Sequence, residues 1–165
     1  MDTPLCFIGD SMVANWDVER YFPNHMVENK GKDGIGIADL DAISLTESMT
    51  NMIVLIGTND LNTPMTNAEL DSYATQYITE VCQLKANRCV LVSILPTANI
   101  QKNQRIEYVN RKIHDSITQL VAVEYVDCYD SFMHDGKIKE ELTRDGTHLN
   151  DYGYMLLTDL IKESL

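Results

Sequence analysis

The sequence predicts an α/β fold: a five-stranded parallel sheet between two helical layers, a three-layer α/β/α sandwich with strand order 2-1-3-4-5. Two observations carry this. Five short apolar runs have strand length and little polar alternation, as strands buried on both faces require. Between the later runs lie segments whose apolar residues recur at spacings of three and four, the helical period. Parallel strands need crossovers, and the intervening helices supply them. At 165 residues and 44 % hydrophobic content, the chain is long enough for one substantial core. No repeat, low-complexity tract or linker divides it, so a single domain over residues 1–165 is expected.

The first strand is read at residues 5–8, and a weaker one at 25–28. Residues 35–45 read as helical. The third strand spans 52–56. A helix follows behind the capping box Thr66-x-x-Glu69, with Leu70, Tyr73, Tyr77, Val81 and Leu84 on one face. The fourth strand is placed at 89–94, and the next helix buries Ile106, Val109, Ile113, Ile117 and Leu120. The fifth strand occupies 121–126. A last helix starts near Asn150 or Asp151 and turns Leu156, Leu157, Leu160 and Ile161 inward. In such flavodoxin-like sheets ligands bind beyond the carboxyl ends of the strands, at the switch point between strands 1 and 3.

A net charge of −12 lacks the basic footprint that nucleic acid or anionic lipid would need. No apolar run approaches the ~20 residues of a membrane span. Met1-Asp2-Thr3-Pro4 runs straight into Leu5-Cys6-Phe7-Ile8 without a leader pattern, so a cytoplasmic location is the expectation, a trimmed secretory leader being the alternative. The four cysteines, Cys6, Cys82, Cys89 and Cys128, form no CxxC pair or metal spacing. Three of them adjoin apolar runs and are read as buried free thiols. No feature selects an oligomeric state.

Chemistry-bearing residues gather where the topology brings strand ends together. Gly9-Asp10-Ser11 follows strand 1, Gly31-x-x-Gly34 follows strand 2, and Gly57-Thr58-Asn59-Asp60 follows strand 3. Asp145-Gly146-Thr147-His148 precedes the last helix. A serine hydroxyl becomes a nucleophile when an imidazole takes its proton and a carboxylate holds the imidazole's tautomer. Asp145 stands three residues before His148, a spacing that one turn can use for this contact. The N–H groups of Ser11 and Gly34 and the amide of Asn59 offer donors for an oxyanion. Glycine at 34 leaves the backbone open to close approach.

These blocks, namely Gly9-Asp10-Ser11, Asn29-x-Gly31-x-x-Gly34, Gly57-Thr58-Asn59-Asp60 and Asp145-x-x-His148, resemble the four signature blocks of SGNH (GDSL-like) hydrolases, in order and over nearly the whole chain. The resemblance implies a three-layer fold and hydrolysis of esters or thioesters with neither cofactor nor metal. It assigns Ser11, Asp145 and His148 to a catalytic triad and Ser11, Gly34 and Asn59 to the oxyanion hole. It also implies a small-molecule ester substrate. The match departs at Met12, where relatives often have leucine, and at Ile35, where they have Asp or Arg.

Each residue has a plainer reading. Serine after Gly-Asp serves as a turn or N-cap, and Asn59-Asp60 suits a capping turn. Asp60 is read as structural and Asp10 as a brace for the serine turn. Asp145 and His148 as metal ligands lack convergent partners. His25, His114 and His134 are read as surface or loop residues. Trp16 and Pro96 serve packing more than a pocket, and Glu140-Glu141 is a solvated pair. A dinucleotide fold lacks its G-x-G-x-x-G after strand 1, and no G-x-S-x-G elbow occurs. Among hydrolases, a short chain without lid insertions favours an open site and short acyl groups, as in O-acetyl esterases or acetylhydrolases. Acyl-CoA thioesterase, lysophospholipase and non-catalytic ligand binding are the alternatives.

Overall fold

The computed structural model describes residues 4–45 and 51–165. The start Met1-Asp2-Thr3, on which the leader reading turned, lies outside them. Strand β1 (Leu5–Gly9) leads into two single-turn helices, α1 (Ser11–Ala14) and α2 (Val18–Tyr21), and then β2 (Val27–Asn29). A 3₁₀ turn (Ile37–Ala42) precedes β3 (Asn51–Leu55), and a second (Thr58–Leu61) follows it. Next come α3 (Asn67–Gln83), β4 (Arg88–Val92), α4 (Ile100–Ile117) and β5 (Val123–Val126). The chain continues through α5 (Tyr129–Phe132), a hairpin of β6 (Met133–His134) and β7 (Lys137–Ile138), and α6 (Asp151–Lys162).

β1 to β5 form one parallel sheet in the order β2-β1-β3-β4-β5, as expected. Phe7 lies opposite Asn29, and Gly9 opposite Leu55. β1, β2 and β3 therefore end on one rim, and the loops that leave them are neighbours.

Alternation along each strand divides the core. Cys6, Ile8, Met52, Val54, Cys89 and Leu91 face the layer that contains the buried side chains of α3 and α4. Leu5, Phe7, Ile53, Leu55, Val90 and Val92 face the layer of α1, α2 and α6. The Thr66 capping box forms as read: Glu69 N–H donates to Thr66 Oγ1 at 3.1 Å and Thr66 N–H to Glu69 Oε1 at 3.0 Å. Cys6, Cys89 and Cys128 are buried free thiols; burial pushes Cys6 up to about 11 and the other two up to about 12. Among the described residues no helix is long and apolar enough to cross a membrane.

Some boundaries differ. Residues 35–45 yield only the 3₁₀ turn, because Asp39 and Asp60 take the N–H groups of Gly36 and Ile37 at 2.9 and 3.0 Å and pin its start. The fifth strand begins at Val123, and Val121 is fully exposed. The last helix buries Tyr154, Leu157, Thr158 and Ile161, leaving Leu156 and Leu160 half-buried at the margin. The elements α1, α2 and α5 have four residues each, too few to show a period. The β6–β7 hairpin turns on Asp135-Gly136, with φ of 51° and 78°, a two-residue signal that periodicity does not register.

Candidate active site

The turn after β1 is tightly specified. A Cβ on Gly9 would collide with the Leu55 carbonyl, so only glycine lets β1 and β3 close here. Asp10 caps α1, its Oδ1 accepting from Met12 N–H at 2.9 Å, and presents Ser11 as the first helical residue. Burial pushes the Asp10 carboxyl up to about 6. Helix α6 locks α1 from behind, through Tyr154 Oη donating to the Met12 carbonyl at 2.7 Å and Trp16 Nε1 donating to Thr158 Oγ1 at 3.1 Å. Trp16 thus packs, against Phe7, Phe22 and Tyr154. Pro96 borders, with Asp10 and Thr58, a cavity of about 10 Å³, room for roughly one water.

The segment before α6 folds back on itself. Thr143 Oγ1 donates to the His148 carbonyl at 2.6 Å and accepts from Gly146 N–H at 2.9 Å. The Gly146 carbonyl accepts from Ala98 N–H at 2.8 Å, tying this loop to the segment between β4 and α4. Within it, Asp145 Oδ1 accepts from the N–H groups of Thr147 at 2.9 Å and His148 at 2.7 Å. Its Oδ2 faces His148 Nδ1 at 2.8 Å. These bonds, led by the His148 N–H, hold the carboxyl well below the usual carboxylate range. With Nδ1–H donating to Asp145, His148 Nε2 is the acceptor, and Ser11 Oγ lies 3.1 Å from it. The His148 side chain is 30 % exposed and that of Asp145 52 %, so the relay lies open to solvent.

The other strand-end loops are bound to this rim. Lys32 N–H donates to the Gly9 carbonyl at 3.0 Å, and Asn29 Nδ2 to the Val13 carbonyl at 2.8 Å. Gly34 has φ +79°, and a Cβ there would meet nothing within 4 Å. The left-handed backbone by itself favours glycine here, and the open space beside it leaves room for the close approach of a substrate. Asn59 Nδ2 donates to the Ile35 carbonyl at 2.9 Å, fastening this loop to the turn after β3. Asp60 is structural, as read: its Oδ2 accepts from Ile37 N–H at 3.0 Å and from Tyr73 Oη at 2.6 Å. Among the described residues the N–H groups of Ser11 and Gly34 and the second amide hydrogen of Asn59 have no acceptor. Three donors are thus left over on three adjoining loops.

Sequence reasoning passed over the supports of the Asn59 turn. From α4, Lys102 Nζ donates to Asn62 Oδ1 at 2.5 Å, and Arg105 Nε to the Leu61 carbonyl at 2.9 Å. Asn62 Nδ2 in turn donates to the Asn59 carbonyl at 3.3 Å. The signal was present: Lys102 stands four residues before Ile106, so the buried stripe of α4 runs back onto a charge. Among the described residues no group of three or more His, Cys, Asp or Glu is arranged to hold a metal ion. His25 is half-buried, and His114, His134, Glu140 and Glu141 are exposed.

The sequence profile of the GDSL-like Lipase/Acylhydrolase family matches residues 7–156. Among curated proteins none matches. Solved structures do. One described as a platelet activating factor from Streptococcus pneumonia is 26 % identical with a TM-score of 0.81, over 99 % of this chain and 84 % of that one. A GDSL-like lipase from Bacteroides thetaiotaomicron is 18 % identical with a TM-score of 0.76, over 98 % and 87 %. An acetylxylan esterase from Geobacillus stearothermophilus, in a catalytic mutant, is also 18 % identical, with a TM-score of 0.75 over 98 % and 93 %. The last two likenesses are of fold. With the profile spanning nearly all of the sheet and its rim, the chain belongs to the GDSL-like lipase/acylhydrolase family.

Proposed function

We propose that this chain is a metal-independent serine hydrolase that cleaves carboxylic esters with short acyl groups through an acyl-enzyme intermediate. One observation carries the reading: the run of contacts from Ser11 Oγ through His148 to Asp145, at 3.1 and 2.8 Å. In this reading His148 Nε2 takes the Ser11 proton as Oγ adds to the ester carbonyl. The oxyanion forms opposite Ser11 N–H, Gly34 N–H and the Asn59 amide. Asp145 stabilises the imidazolium, which then hands its proton to the departing alkoxide. Water repeats the cycle on the acyl-serine and regenerates the hydroxyl. The open setting of the pair supports a shallow site for short acyl groups.

Hydrolysis of p-nitrophenyl acetate in the presence of EDTA tests the proposal. Wild type should turn over, with an acetyl adduct on Ser11 trapped in acid, and Ser11→Ala should lose ~10⁴-fold or more in kcat while melting normally. Wild-type kcat in Ser11→Ala, or activity that needs added zinc, would overturn it. A panel of acyl lengths with matched thioesters and a lysophospholipid separates the short-acyl esterase from the thioesterase and lysophospholipase alternatives. Ligand binding by a folded protein that forms no adduct would identify a non-catalytic member.

A further inference from the structure

Beside the proposed triad lies an open cleft of about 580 Å³, lined by Asn62, Asn99, Lys102, Lys137, Asp145 and Thr147 among others. Its chemistry is set by Lys102. The residue is 7 % exposed, yet among the described residues its ammonium has one polar partner, the Asn62 amide oxygen, and no carboxylate lies in ion-pair contact with it; the buried Asp10 acts on it from beyond that reach. A buried cation without a contacting counter-ion is costly, and an amide oxygen meets only one of its three donors. The cleft adds two sources of positive potential. Lys137 is exposed and also pairs with no carboxylate among the described residues. The 18-residue helix α4 begins here, and its first two N–H groups, of Ile100 and Gln101, have no acceptor among the described residues. Asp145 is the carboxylate on the wall, and three hydrogen bonds turn its two oxygens toward Thr147 and His148. In a chain of net charge −12, this is a local exception.

We propose that Lys102, aided by Lys137 and the start of α4, forms a subsite for an anionic group, a carboxylate or a phosphate, on the alcohol portion of the ester. The alcohol side follows from the wall: residues 145–147 directly precede His148, the group that protonates the departing oxygen. The proposal rests on the ester-hydrolase reading above. The rest of the acidic surface repels extended polyanions and leaves this cleft to small anionic substrates.

Three acetates test it: 3-acetoxybenzoate, 3-acetoxyphenyl phosphate and the neutral methyl 3-acetoxybenzoate, with rates normalised to their hydroxide-catalysed hydrolysis. The readout is the ratio of kcat/KM, anionic to neutral. Lys102 also reaches Asn62, and any general loss from that contact cancels in the ratio. Wild type should favour at least one anionic ester by about tenfold, the size expected of a charge-assisted hydrogen bond. The stronger arm identifies the group. Lys102→Met should bring the ratio near unity, and Lys102→Arg should restore part of it. Equal wild-type values for all three esters, or an unchanged ratio in Lys102→Met, would overturn the proposal. Calorimetry on Ser11→Ala with 3-hydroxybenzoate and 3-hydroxyphenyl phosphate removes turnover from the question. Adding Lys102→Met should weaken binding about tenfold, and an unchanged Kd sinks the subsite. If the anions bind through Lys102 while no ester is cleaved, the subsite stands and the hydrolase reading fails.

Discussion

Replacing Asp145 by asparagine exchanges one oxygen for an NH₂ group and leaves the shape alone. The carboxylate accepts three hydrogen bonds: two from backbone N–H groups on Oδ1, one from His148 on Oδ2. In Asp145→Asn the amide oxygen must stay on the Oδ1 side, since the reverse orientation sets N–H against N–H twice. The NH₂ group then faces His148 Nδ1 and donates to it. His148 moves its proton to Nε2, the position that must accept from Ser11 Oγ, and the relay is blocked. Recovering the useful tautomer means breaking this bond, about 1–1.5 kcal/mol at a solvated site. The imidazolium formed during reaction also loses its carboxylate. Charges ~4 Å apart are worth about 1 kcal/mol in water and about 4 kcal/mol near a protein surface, and the exposure of the pair sets the loss between those limits. The sum, roughly 2–5.5 kcal/mol, is a fall in kcat of about 30-fold to 10⁴-fold. Steady-state hydrolysis of p-nitrophenyl acetate measures it, with the melting temperature as control. Asp145→Ala, which also frees the two backbone N–H groups, should melt lower than Asp145→Asn. A kcat for Asp145→Asn within threefold of wild type would refute the reasoning.

Asn59→Ala should lower kcat by ~10²–10³ with little change in KM, because the donor acts on charge that exists only in the transition state; near-normal kcat in the folded variant removes Asn59 from the oxyanion hole. Asp10 makes a prediction about stability. Its folded value of about 6 lies above the ~3.9 of an unfolded aspartate, so the native state keeps a proton that the unfolded chain has lost. The group therefore costs stability progressively as pH rises from about 4 to about 6, by up to about 3 kcal/mol. Asp10→Asn keeps the acceptor for Met12 N–H and removes this cost, so it should melt above wild type at pH 7 and level with it at pH 4. A lower melting temperature at pH 7 would contradict the buried, proton-holding carboxyl.

Much of this rim was legible because its residues follow strand ends, and strand order follows from apolar runs and crossovers. Ser11, Asn59 and the Asp145–His148 pair each sit within a few residues of such a landmark. Asp60 was read as structural, but the loop it holds was not, since its contacts to Ile37 and Tyr73 span up to 23 residues. Gly34 was noticed for the room it leaves a substrate, while its positive φ, which also selects glycine, is visible only in coordinates. Lys102 was missed because an amphipathic reading looks for apolar residues on the buried face and passes over a cation there. Single-turn helices and the Asp135-Gly136 hairpin are shorter than any period that could announce them.

The pair proposed to react is joined across 137 residues by the contact between Ser11 and His148. During synthesis at ~5–20 residues per second, the proposed nucleophile precedes the proposed base by roughly 7–27 s. On that reading a nascent chain of that age holds an ordinary alcohol, since the imidazole proposed to take its proton has yet to be made. Capability requires the 145–148 loop beside Ser11, a position that the contacts of α6 on α1 through Tyr154 and Trp16 help to hold. Cutting the chain in the exposed Asp135-Gly136 turn would divide the molecule into two inert pieces, one with the hydroxyl and one with the imidazole. Their reunion could be read as the return of ester cleavage.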